Sequence, residues 1–112
     1  MSLVREFLIK KYGAVLHSVN KTVQTSSTAS QLLKRDPNRF GWVIANLSAQ
    51  DAFLGFDGQV EVDQGILIGL TGEKIISFWA ETHGELVTGE IHAISVNPCD
   101  MFIYEILGDV II

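Results

Sequence analysis

Cysteine is almost missing from this chain: its 112 residues hold only Cys99, and only two prolines, Pro37 and Pro98. One thiol excludes an internal disulfide framework, the usual staple of small secreted domains, and suits a reducing compartment. Pro98 and Asp100 flank it. Neither supplies a basic group to stabilise a thiolate, so Cys99 reads as an inert thiol at a turn. Long apolar runs are missing too; none approaches the roughly 18 residues that cross a bilayer. Glu6 interrupts the short apolar stretch near the start and no small-residue cleavage site follows, so no signal peptide is expected. Charged residues make up 19% and apolar ones 47%, which excludes a disordered chain and fits one globular domain over 1–112.

The motifs of catalysis and cofactor binding are lacking as well. His17, His83 and His92 stand at neither i, i+2 nor i, i+4 spacing, and Cys99 has no second cysteine at zinc-finger spacing. No Gly-x-Ser-x-Gly elbow presents a serine nucleophile. Gly65-Ile-Leu-Ile-Gly69 and Gly69-Leu-Thr-Gly72 match neither phosphate-binding pattern and precede no helix, so they read as turns and strand ends. Asp51, Asp57 and Asp63 lack the spacing of a calcium loop. Glu81, Glu85 and Glu90 can be set against the paired carboxylates of glycosidases, but a solvated acidic edge is the better account. Asn20-Lys21-Thr22 is a glycosylation sequon that carries no meaning without secretion. No catalytic, cofactor-binding or metal-binding residue is expected, and no cofactor.

What the sequence does contain is a two-residue rhythm. Residues 3 to 12 read as a short helix, with Leu3, Phe7 and Lys11 in line, Val4 and Leu8 beside them, and Gly13 as its stop. After Gly13 the apolar period changes to two: Val15, His17, Val19, Lys21 and Val23 alternate with a polar set. Thr25 to Thr28 is a connector, Ala29 to Leu33 is ambiguous, and Asp36-Pro37 sets a turn. Strands are expected at 41–47, 52–56, 60–62, 66–70, 74–81, 87–96 and 101–107, with Asp57-Gly58 as a hairpin signal and His83-Gly84 as a turn. Such spacing without helical crossovers means an all-β fold: an antiparallel β-sandwich or small barrel of about seven to eight strands with a short N-terminal helix. The expected layout is a helix over 1–12, the sandwich over 13–107 and a C-terminal tail over 108–112. Trp42 and Trp79 lie within apolar strands and are expected in the core. Were they exposed, a carbohydrate-binding module would gain ground.

Charge is divided unevenly. Through Phe40 seven basic residues oppose two acids, a balance of +5; from Gly41 onward Lys74 stands alone against eleven acids, a balance of −10. Two readings are open. Strands of the two halves pair and neutralise each other, or a basic face of one copy meets an acidic face of the next. The acidic majority and a net charge of −5 argue against nucleic-acid binding.

Thr25-Ser-Ser-Thr-Ala-Ser-Gln-Leu-Leu-Lys-Arg-Asp-Pro-Asn-Arg39 is followed by Ile44-Ala-Asn-Leu-Ser48, Phe53-Leu-Gly-Phe-Asp57 and Gly65-Ile-Leu67. Gly89-Glu-Ile-His-Ala-Ile-Ser95 and Phe102-Ile-Tyr-Glu105 close the series. In this order the pieces resemble the small β-sandwich virion proteins of tailed bacteriophages, over roughly residues 22 to 107. Those carry threonines and small residues, Leu-Leu, Asn-Pro-x-Arg and a strand ending in Asn and Ser. Asp36 departs from that pattern, and the helix-like start lies outside it. The resemblance implies a non-catalytic structural role in head decoration, neck, tail or fibre, with many copies. Homo-oligomerisation or docking on other virion proteins is expected, with Leu3, Phe7, Leu8, Val110, Ile111 and Ile112 as candidate assembly contacts. The expected location is the virion, or the bacterial host cytoplasm before assembly. No nucleic acid and no membrane is expected as a partner, and a glycan or receptor ranks second.

Overall fold

The computed structural model describes Glu6, Lys10 and residues 14 to 110. Eight strands form two four-stranded antiparallel sheets. They are β1 (Ala14–Gln24), β2 (Ser30–Leu33), β3 (Arg39–Asn46), β4 (Ala52–Gly55), β5 (Ile66–Ile68), β6 (Ile75–Trp79), β7 (Ile91–Ser95) and β8 (Asp100–Val110). One sheet runs β1-β8-β3-β6 and the other β2-β7-β4-β5. Consecutive strands thus mostly fall in opposite sheets, which is the winding of a jelly roll, an all-β sandwich.

Alternation along the strands supplies the core. Trp42, Ile44, Met101 and Ile103 from the first sheet meet Leu33, Leu54, Ile68, Ile91 and Ala93 from the second, all buried. Trp42 stacks on Phe78 with ring centroids 4.7 Å apart, and Phe78 stacks in turn on His83 at 4.2 Å. Trp42 Nε1 is buried without a hydrogen-bond partner.

Polar pins close the two ends of the sandwich. Asn46 donates from Nδ2 to the carbonyls of Gln50 and Ile68, both at 2.9 Å, and accepts from the Ser48 N–H at 3.0 Å. The strand-ending Asn and Ser are therefore a turn lock. Thr25 and Ser95 share a buried hydroxyl contact of 2.7 Å, and the Cys99 N–H donates to Thr25 Oγ1 at 3.2 Å. Asp36 accepts from the Asn38 N–H at 2.9 Å, so a carboxylate caps the turn before Arg39.

Several boundaries differ from the sequence reading. Residues 60–62 form no strand; Val60 plugs a long loop between β4 and β5, where its side chain sits against the backbone of Gly55 and Gly65. Asp57-Gly58 belongs to that loop and makes no tight hairpin; Asp57 accepts from the Gln59 N–H at 2.8 Å. The strand expected from 87 begins at Ile91, because Ala80–His83 forms one helical turn, α1, and Gly84–Thr88 a 3-10 turn. The ambiguous 29–33 segment is β2, paired with β7. The expected helix over 3–12 lies outside the described residues, except that Glu6 and Lys10 are helical and exposed.

Candidate interaction surface

The outer face of the β1-β8-β3-β6 sheet is built by the residues that alternate away from the core. Register brings Tyr104 beside Val43 and Val43 beside Ser77, and Phe102 beside Ala45 and Ala45 beside Ile75. Ile75 is 62% exposed and Trp79 is 38% exposed. The expectation of a core position holds for Trp42 and fails for Trp79. The cause is local: Trp79 lies on the outward side of β6, and Gly41 opposite it has no side chain, so the indole lies down on the sheet. Trp79 Nε1 donates to Ser77 Oγ at 3.1 Å, which fixes the ring.

A second aromatic is seated the same way. A bulge at Phe40 shifts the register between Arg39 and Gly41. Phe40 lies over Gly108, where a Cβ would come within 3.2 Å of its ring. Two clefts flank Phe40 and Ala80 and share them both. One, of about 340 Å³, is lined by Leu16, Trp79 and Ile106; the other, of about 380 Å³, by Pro37, Val87 and Thr88. Glu81 borders the first and Glu85 the second.

Beneath this region lies a buried cation. Arg39 is 3% exposed. Its guanidinium meets Glu105 Oε2 at 3.3 Å and donates to the carbonyls of Val87, Gly89 and Lys34. Arg39 thereby clamps the 3-10 turn to both sheets, and its donors are consumed within the fold. This pair also joins the basic first part of the chain to the acidic second part inside one sheet, as the first charge reading expects.

The long edge is the other open surface. β1 pairs with β8 along eleven residues, from Ala14 opposite Val110 to Gln24 opposite Asp100, and among the described strands it has no second neighbour. Residues 17 to 22 are exposed, Val19 by 45%. Lys21 stands opposite Ile103, on the core-facing side of the sheet.

Among the candidate assembly contacts, Leu3, Phe7, Leu8, Ile111 and Ile112 lie outside the described residues. Val110 ends β8 and pairs with Ala14, so the chain enters and leaves the sandwich side by side, next to the Leu16 cleft. Sequence reasoning did not find the clefts, because they depend on two glycines that happen to lie beneath aromatics from other strands. The histidines do not converge. His83 accepts from the Trp79 N–H at 3.0 Å, His92 lies 3.3 Å from Glu90, and His17 is on β1. Among the described residues no three His, Cys, Asp or Glu side chains are placed to hold a metal, and no helix is long and apolar enough to cross a membrane. Cys99 is fully buried.

No family model and no curated protein matches this chain. A solved structure of Bacillus endospore appendages, described as forming a novel family of disulfide-linked pili, matches with a TM-score of 0.52 at 12% identity. The match covers 88% of this chain and 89% of that one. What the two share is the fold.

Proposed function

We propose that this chain is a non-catalytic structural subunit that acts in many copies, joining its own kind or docking on a larger particle. The residue pattern between Thr25 and Glu105 favours a tailed-phage or prophage virion as that particle, with the bacterial host cytoplasm as the place of synthesis. The observation that carries the reading is the β1 edge: among the described residues this strand pairs with β8 alone, and residues 18 to 22 are exposed. An open edge of that length is a template for another strand. Lys21, on the core-facing side, opposes indiscriminate pairing, so a partner must leave room for its ammonium group. The appendage structure supports the reading at the level of fold, since it shows such a sandwich in a pilus.

Light scattering across a concentration series tests the proposal. Full-length protein is expected to associate as concentration rises. Val19→Lys combined with Thr22→Lys, two exposed β1 positions, should weaken association by about tenfold or more through like-charge repulsion along the edge. A strict monomer at all concentrations, alone and with virion proteins, would overturn the reading.

A second reading, glycan or receptor binding, rests on the flat, exposed indole of Trp79. It requires added glycans to shield Trp79 from a neutral quencher, which assembly through β1 does not.

A further inference from the structure

We infer that the sandwich holds a closed binding site for a small, neutral aromatic molecule with one hydrogen-bond acceptor, such as an aryl ketone. Phe56 is its gate and the Trp42 indole N–H its donor. This goes beyond self-association and uses no residue of β1.

The starting point is an unmet donor. Trp42 is 1% exposed, and among the described residues its Nε1 has no hydrogen-bond partner. Native cores rarely keep a buried N–H without an acceptor, so one that persists points to a use. One face of the indole is stacked on Phe78. Trp42 also forms a wall of a void shared with Leu54, Gly55, Phe56, Ile66 and Ile91. This void is too narrow for a water molecule, so an acceptor enters only when a wall moves.

Phe56 is the wall that can move. It is 46% exposed, and its ring is tilted against Phe78 with centroids 6.1 Å apart. It also lines two surface clefts, one of about 400 Å³ with Gln59 and Gln64 and one of about 390 Å³ with Arg35 and Leu86. A turning ring therefore has space to enter. Val60, buried against Gly55 and Gly65, pins the loop, so opening needs the ring alone to turn. Once open, the void joins the first cleft, with which it shares Leu54, Gly55, Phe56 and Ile66. A ligand ring then replaces Phe56 against Phe78, and its acceptor meets the Trp42 N–H. The void walls carry no charged side chain, which selects against an ionised ligand.

Titrating the isotope-labelled full chain with millimolar acetophenone, followed by proton–nitrogen correlation spectra, tests this. Trp79→Phe assigns the two indole signals. The Trp42 indole proton is expected to move downfield and saturate as its N–H gains an acceptor. The Trp79 N–H already donates to Ser77 Oγ, and its signal should stay in place. Ethylbenzene, a similar ring without the acceptor, should not move the Trp42 proton downfield. Phe56→Ala should bind acetophenone about tenfold or more tighter, because a closed site loses affinity in proportion to its open fraction. An unmoved Trp42 signal in the wild type would overturn the inference. So would a downfield shift with ethylbenzene, or equal affinity in Phe56→Ala. The wild-type titration decides the site even if that variant misfolds. Val19→Lys with Thr22→Lys should leave the titration unchanged, so failure here and failure of assembly through β1 are read separately.

Discussion

Arg39 shows how one residue can be structural where a charge suggests a site. Its guanidinium is buried and spends its donors on Glu105 and three carbonyls. Arg39→Met should therefore cost about 3–5 kcal/mol, since it strands a mostly buried carboxylate. Glu105→Leu added to it should recover part of the loss. Urea unfolding of the single and double variants measures both. Asp51 gives a pH prediction. The Thr71 hydroxyl at 2.7 Å, then the Thr71 N–H at 3.0 Å, hold its carboxyl below the usual value, against a smaller opposing effect of burial. A depressed folded pKa stabilises fully above the unfolded value of about 3.9 and is lost as pH falls through the folded value. Thermal melts of wild type should thus fall across that acid window, and Asp51→Asn should flatten the decline. Of these contacts, the sequence shows only the Asp36-Pro37 turn that leads into Arg39. The partners of Arg39 are 5 to 66 residues away along the chain, and no local pattern names them.

Among the elements, strand identity was legible wherever alternation was strong and boundaries were fixed by turn residues. β1, β3, β4, β6 and β8 follow from period-two patterning and their neighbouring Gly, Asp and Pro residues. β2 did not follow, because Ser30–Leu33 is four residues long and owes its strand state to pairing with β7. The start of the strand expected over 87–96 failed for the opposite reason. Val87 and Thr88 read as strand, but Arg39 takes the carbonyls of Val87 and Gly89 and holds the chain there in a 3-10 turn. The loop after β4 is similar: apolar Val60 alternates as in a strand, yet it is used as a plug between two glycines. Val60→Ala should cost about 1–2 kcal/mol by opening a cavity there. Amide exchange within 56–65 should rise well before global unfolding does.

For the whole molecule, cysteine usage separates this chain from the appendage protein whose fold it shares. A disulfide-linked polymer needs at least two thiols per copy, one for each neighbour. This chain has one, and it is fully buried. The proposed assemblies of these residues are therefore not disulfide-linked polymers. Their size by sedimentation should not change with reductant, but should fall with rising salt if the charge asymmetry contributes. Ala14 and Val110 pair at one end of the sandwich, so the first strand starts beside the place where the last one finishes.

The sequence by itself determined the class of the fold and the absence of a thiol framework, because each is a matter of composition or of period along a strand. Only the tertiary structure decided the jelly-roll winding, the exposure of Trp79, the clefts around Phe40 and the consumption of Arg39. Those depend on which strands are neighbours, and strand order is set by long-range packing that local alternation does not encode.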